Sequence, residues 1–159
     1  MLVALCSPLM RRAHQFLPQS EELVFIDSSG GVDRSGCRIF LMLTNSPAGR
    51  VPLGALITTS ESEKVISEAL VLWKGILPKE AFHGKGYPKV FMTDDNSAEQ
   101  KALQLTFPQS IMVLCSFHVL QALYRWLYTA KNGIAKSHRS HLLNLVRKTL
   151  NAHFLEEQH

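Results

Sequence analysis

The chain alternates between short apolar runs that are typical of strands and longer runs with helical periodicity. Three β-rich runs come first, separated by clusters of Gly, Ser, Asn and Pro. A helical run follows, and two more short apolar runs then alternate with further helical runs. The predicted strands are 22–28, 37–45, 52–59, 89–93 and 110–115. The pattern therefore predicts the element order β-β-β-α-β-α-β-α-α.

The predicted helices carry start signals and apolar stripes. Ser60 and Glu63 have the spacing of a capping box at the start of the first long helix. Its predicted buried face consists of Val65, Ile66, Ala69, Leu70 and Trp73. The other predicted helices are 8–17, 95–105, 117–130 and about 137–154.

Three meandering strands followed by α-β-α-β predict a mixed sheet. The fourth strand, after its crossover, should lie parallel beside the first strand. Asp27 ends the first predicted strand and Asp94 ends the fourth. Ligands gather beyond the carboxyl ends of neighbouring parallel strands, so the two carboxylates are expected to share a divalent cation. Mg²⁺ suits such a pair, because it takes a few carboxylates and keeps several waters.

The ordinary alternative for an aspartate at a strand end is a turn residue or a helix cap. Asp95 or Asn96 is placed to cap the following helix, and Asn96 with Glu99 has the capping spacing. We therefore assign the metal to Asp94 and the cap to Asp95.

The charge distribution favours an anionic partner for the C-terminal third. The chain carries a net charge of +4, and no acid occurs between Ser116 and Leu155. Six basic residues in that stretch are predicted DNA contacts: Arg125, Lys131, Lys136, Arg139, Arg147 and Lys148. Aromatic residues accompany them and would stack on nucleic acid. Of these (Tyr124, Trp126 and Tyr128), Trp126 is assigned to the core by preference.

The cysteines and the hydropathy exclude some classes of protein. Three widely spaced cysteines favour a reducing compartment over a disulfide framework. The apolar start of the chain has no basic leader, and we interpret it as structural or as a truncated beginning. No run has the length of a membrane span. Zinc on Cys115, His118, His138 and His141 is an alternative that the short spacings permit, but zinc is not the expected cofactor.

Several segments resemble the transposase core of Mutator-like elements. The likeness runs from about Glu22 to Leu127 through LVFIDSS, GRVPLGALITTSES and KVFMTDDNSAEQKALQLTFPQSIMVLCSFHVLQALYRWL. Its most specific feature is the order of three motifs, T-D, F-P and C-x-x-H. That family is similar in fold to RNase H and retroviral integrases, which implies an α/β fold with sheet order 3-2-1-4-5, flanking helices and a C-terminal helical extension.

The resemblance also implies an activity and an organisation. The family cuts and rejoins DNA with an Asp-Asp-Glu triad and Mg²⁺ or Mn²⁺, so Asp27 and Asp94 would be the first two acids. Cys115 and His118 would shape the active site or contact DNA. The implied segments are an N-terminal helical segment (1–21), the transposase core (22–130) and the start of a helical insertion (131–159).

The third acid of the triad is not identifiable. The family's glutamate follows the C-x-x-H motif at a distance, and only Glu156 and Glu157 come later in this chain. Three hypotheses therefore stay open: a nuclear DNA-processing enzyme that is incomplete here, a non-catalytic DNA- or protein-binding remnant of a domesticated transposon, and a small structural module stabilised by zinc. DNA is the expected partner, self-association is left open, and neither a membrane nor a small-molecule substrate is expected.

Overall fold

Six strands form one mixed sheet in the part of the chain that the computed structural model describes, residues 1–30 and 36–152. The strands are β1 (Leu2–Leu5), β2 (Leu23–Gly30), β3 (Arg38–Ser46), β4 (Gly49–Thr58), β5 (Val90–Thr93) and β6 (Ile111–Leu114). The helices are α1 (Pro8–Phe16), α2 (Gln19–Glu22), α3 (Glu63–Ile76), α4 (Ser97–Thr106), α5 (Ser116–Tyr128) and α6 (Lys136–Ala152). The predicted α/β class with a mixed sheet and flanking helices is confirmed.

The sheet order is β1-β4-β3-β2-β5-β6. Strands β2, β3 and β4 pair antiparallel in sequence, and β2 pairs in parallel with β5. Strand β1 adds an edge that the sequence analysis missed, since it assigned residues 1–21 to a helical segment. β1 pairs antiparallel with β4, from Leu2 beside Thr58 to Leu5 beside Ala55. Four apolar residues are too few to show a period, so the partner strand decides this element.

Helix α3 covers one face of the sheet with its apolar stripe. Ile66, Ala69, Leu70 and Trp73 are buried, as predicted. The predicted start is wrong, because the N-cap is Ser62 rather than Ser60. The Ser62 hydroxyl accepts a hydrogen bond from the Val65 amide (3.4 Å).

The Trp73 ring packs directly on the β4 backbone at Gly54. A Cβ added at Gly54 would overlap the indole, so only glycine admits the tryptophan at this distance. Phe82 and Phe107 contact the same ring edge-on, with centroid distances of 6.0 and 6.3 Å. These aromatic contacts join α3 to the segments that lead into β5 and β6.

Helix α1 contributes a buried histidine to this core. The Nδ1 atom of His14 accepts from the Phe82 amide (3.3 Å), so Nε2 carries the proton and donates to the Leu53 carbonyl (3.1 Å). Burial lowers the pKa of His14 to about 4. His14 is therefore a neutral structural residue at neutral pH.

The chain divides into two compact units, Met1–Val113 and Leu114–His159. The first contains the sheet up to β6 and helices α1 to α4. The second contains α5, a short 3₁₀ turn (Ala130–Asn132) and α6. Phe154, the predicted end of the last helix, lies outside the described residues. Among the helices of the described ranges, none combines the length and the hydropathy that a membrane crossing needs.

Candidate functional site

The two predicted metal-binding aspartates follow from the parallel pairing of β2 with β5. The register runs as far as Phe25 beside Met92. Continuing this register by two residues brings Asp27 level with Asp94, on neighbouring strands about 4.8 Å apart. Asp94 directly follows β5, whereas β2 continues past Asp27 to Gly30, so the prediction that Asp27 ends its strand is wrong. Asp27 is exposed and Asp94 is half-buried, so solvent reaches both positions. The parallel pairing thus places these two residues beside one another towards one end of the interior strands β2 and β5.

The Asp94 carboxylate is held by hydrogen bonds from both sides. Its Oδ1 accepts from the backbone amide of Asn96 (3.1 Å), which is an Asx turn. Its Oδ2 accepts from the hydroxyl of Ser28 at 3.5 Å, the outer limit of a hydrogen bond. Ser28 directly follows Asp27 within β2, so this contact joins β2 to the residue that follows β5. The Asp94 side chain therefore has a turn role as well as a position that suits a ligand.

The N-cap of α4 is Asn96, and its assignment to Asp95 is wrong. The Asn96 Oδ1 accepts from the amides of Ala98 (3.0 Å) and Glu99 (3.2 Å). Asp95 is exposed. The cap falls one residue later because Asp94 takes the preceding turn and leaves Asn96 at the extended position before the helix.

Glu99 is a residue of this region whose burial was not predicted from the sequence. It was counted only for its capping spacing, yet its side chain is 1% exposed. Neither of its carboxylate oxygens has a hydrogen-bond partner within the described residues. Its neighbours are apolar and include Ile26, Leu70 and Leu103. The available signal was its place on the buried stripe of α4, with Ala102, Leu103 and Thr106.

The surroundings of Glu99 favour its protonated form. The pKa of Glu99 is raised to about 8, chiefly by burial and then by the negative charges of Asp94, Asp27 and Glu61. Glu99 is therefore mostly neutral at pH 7. Because Glu99 is neutral, the negative charge near this end of the strands comes from the more exposed acids Asp94, Asp27 and Glu61.

Glu61 lies towards the same end of the strands, because it follows β4, and β4 runs in the same direction as β2. Its Oε1 lies 3.1 Å from the Nε of Arg38, and both side chains are more than a third exposed. Such an exposed pair contributes little to stability.

Within residues 1–30 and 36–152, no group of three or more Asp, Glu, His or Cys side chains is arranged to hold a metal ion. The candidate centre is thus a pair of carboxylates, and Glu156 and Glu157 lie outside the described residues.

Cys115 and His118 belong to the second unit. Cys115 occupies the N-cap position of α5 without a capping hydrogen bond from its side chain. His118 is half-buried, and its Nδ1 is buried without a hydrogen-bond partner in the described chain. Phe117 lies against its ring at 5.5 Å. The alternative zinc set of these two residues with His138 and His141 is not assembled in the described part of the second unit.

The predicted DNA-contacting residues all lie in the second unit, and most are free to meet a partner. Five of them are exposed: Arg125, Lys131, Lys136, Arg147 and Lys148. Arg139 is half-buried, because its Nε donates to the Ile134 carbonyl (3.0 Å) and its guanidinium covers the Tyr128 ring (4.9 Å). Arg139 is therefore engaged within the unit.

The aromatic residues of α5 are more exposed than predicted. Trp126 is 51% exposed, so its preferred assignment to the core is wrong. Tyr124 and Tyr128 are each 46% exposed and stack with a centroid distance of 4.3 Å. Leu127 is the α5 residue that is buried. Helical spacing identifies which residues share a face, but the packing partner decides which face is covered.

Comparison with known proteins does not assign the chain to a family. No protein-family model matches the chain, and no curated protein matches its sequence. We therefore infer a function from the site itself and from the resemblance of the motifs.

Proposed function

We propose that the first unit is an RNase H-like domain of Mutator-like transposase type, which acts on DNA with Mg²⁺ or Mn²⁺ bound by Asp27 and Asp94. The observation that carries the proposal is the parallel register of β2 and β5, which, continued by two residues, puts Asp27 level with Asp94 just beyond the end of β5. The order β4-β3-β2-β5-β6 within the sheet also supports it, because the resemblance implies the same succession.

The donor set fits a hard divalent cation. Both side chains supply carboxylate oxygens, both are reached by solvent, and water would complete the coordination. A bound Mg²⁺ supplies a Lewis acid that activates an attacking hydroxyl and stabilises the leaving oxygen of a phosphodiester. The chain itself positions the ligands: the Asn96 amide and the Ser28 hydroxyl fix the orientation of the Asp94 carboxylate.

A second candidate function is a non-catalytic remnant that binds DNA or protein. The observation that favours it is the lack of a third metal-ligating side chain beside the pair within the described ranges. Two carboxylates hold a cation less firmly than three and leave a two-ion arrangement incomplete. In this alternative the fold is a scaffold, and the basic residues of the second unit make the contacts. A nuclear location and self-association are parts of both proposals that only cell-based and solution experiments address.

Two measurements on the same variants test these proposals. The first is the shift in unfolding temperature on titration with Mg²⁺ or Mn²⁺, and the second is the nicking of supercoiled DNA. Asp27→Asn and Asp94→Asn should each abolish the metal-induced shift and any nicking. Asp95→Asn is the matched control, since this neighbouring acid is exposed and should leave both readouts unchanged.

The outcomes separate the two functions. Metal-dependent nicking that both site variants abolish supports the enzyme. A metal-induced shift without nicking supports the remnant. A wild-type protein that shows no response to either ion, or a control that behaves like the site variants, contradicts the assignment of the metal to Asp27 and Asp94.

A further inference from the structure

The second unit contains an open groove between α5 and α6, none of whose lining residues belongs to the candidate metal site. Its volume is about 260 Å³, and its lining residues are Phe117, Leu120, Gln121, Tyr124, Leu143 and Arg147. Two aromatic rings are therefore present, two helical turns apart on one face of α5. Phe117 is 63% exposed and Tyr124 is 46% exposed, so a ligand can reach both rings.

The Tyr124 ring is held in place from its other side. Tyr128 stacks on it with an interplanar angle of 25°, and the guanidinium of Arg139 covers Tyr128 at 4.9 Å. Arg139 is itself anchored by its bond to the Ile134 carbonyl. A ring that is already ordered loses little conformational entropy when a planar ligand stacks on it.

The electrostatics of the unit specify the sign of the ligand. Six Lys and Arg residues and no Asp or Glu lie between Ser116 and Leu155. Arg147 lines the groove, and Lys148 beside it is exposed. An apolar protein partner would not require this uniform charge, whereas a polyanion with planar groups matches both the charge and the rings.

We propose that this groove binds an unpaired base of single-stranded DNA, which stacks on Tyr124 while Arg147 contacts the adjoining phosphate. A duplex is the weaker ligand for it, because paired bases stack on one another and present only their edges. The inference deepens the proposed function in its choice of DNA as partner. It does not depend on the metal site, because its residues all belong to the second unit.

The test measures binding of the full chain to fluorescent oligothymidine of about 12 nucleotides by fluorescence anisotropy, with EDTA present. Tyr124→Ala should weaken binding by about 5- to 150-fold, which is the range for loss of one stacked base. Tyr124→Phe should retain wild-type affinity, because phenylalanine keeps the ring. Trp126→Ala is the matched control, since Trp126 is equally exposed but projects from the opposite face of α5.

The same binding measurement is made with duplex DNA and with oligouridine of the same length, and the affinities are compared with that for oligothymidine. Tighter binding of oligothymidine than of the duplex, lost in Tyr124→Ala and kept in Tyr124→Phe, supports the proposal. Equal loss in Trp126→Ala, unchanged binding in Tyr124→Ala, or binding of oligouridine alone overturns it. Self-association that depends on Tyr124, without oligonucleotide binding, would assign the groove to a second copy of the chain and overturn it too.

The metal-site variants distinguish a failure of the proposed enzyme function from a failure of the proposed base-binding groove. Asp27→Asn and Asp94→Asn should bind oligothymidine with wild-type affinity in EDTA. Nicking that fails while oligonucleotide binding is retained contradicts the proposed enzyme alone. Nicking that proceeds while Tyr124→Ala binds like wild type contradicts the groove alone. Circular dichroism spectra of all variants establish that each is folded.

Discussion

Replacement of Glu99 by glutamine should remove a strong pH dependence of stability from this protein. The carboxyl group is 1% exposed and its oxygens lack hydrogen-bond partners in the described chain. Glutamine has nearly the same shape and stays neutral at every pH. The substitution therefore isolates the cost of the charge from the cost of the volume.

The direction follows from the two pKa values of the carboxyl group. Its ordinary pKa is 4.5, and in the fold it rises to about 8. Between these values the folded protein binds more protons than the unfolded chain. The free energy of unfolding of the wild type therefore falls as the pH rises from about 4.5 to about 8, and is constant with respect to this group above that.

The magnitude is large relative to the stability of a small protein. Each unit of pKa difference is about 1.4 kcal/mol, so the full shift corresponds to about 5 kcal/mol as an upper value. About 3 to 4 kcal/mol of this falls between pH 5 and pH 8. Small proteins have a total unfolding free energy of about 5–15 kcal/mol, so the effect is readily measured.

Urea unfolding at pH 5 and pH 8, in EDTA, is the assay. On going from pH 5 to pH 8, the unfolding free energy of the wild type should change by about 3 to 4 kcal/mol less favourably than that of Glu99→Gln, and Glu99→Gln should be the more stable protein at pH 8. Glu68→Gln is the matched control, because Glu68 is an exposed helical acid. Equal pH dependence in Glu99→Gln and the wild type, or a less stable Glu99→Gln protein at pH 8, would refute the reasoning.

Three other predictions concern packing, acid stability and capping. Gly54→Ala should lower the unfolding free energy by about 3 kcal/mol or prevent folding, since its Cβ would overlap the indole above it; unchanged urea midpoints would contradict this. His14 has its pKa lowered from 6.5 to about 4, so its unfolded form binds more protons and stability should fall by about 3 kcal/mol as the pH drops through that window. Urea titrations of the Glu99→Gln variant at a series of pH values measure this fall without the opposing effect of the Glu99 carboxyl group. An unfolding free energy that does not change with pH in that window would contradict the prediction for His14. Asn96→Ala should cost about 1 kcal/mol of stability by loss of the cap, whereas Asp95→Ala should cost far less; thermal unfolding that ranks them the other way would restore the cap to Asp95.

The candidate site was partly predictable from local pattern. A short β-rich run that ends in Asp27 and another that ends in Asp94 indicate strand ends, and the crossover between them indicates parallel pairing. The structure confirms the parallel pairing of β2 with β5, although β2 runs past Asp27 to Gly30; the register continued by two residues puts Asp27 level with Asp94. The cap was misplaced by one residue, because Asp94 and Asn96 compete for the same turn and only the folded backbone decides between them.

The amino-acid sequence by itself determined the succession of the longer elements from β2 to α6, the apolar face of α3 and the basic character of the second unit, because each of these depends on residues close together in the chain. The tertiary structure decided what depends on distant residues. It paired Leu2–Leu5 with β4, buried Glu99 behind the strand ends and left Trp126 exposed. The physical reason is that periodicity records which residues share a face, whereas burial and pKa depend on what the rest of the chain brings against that face.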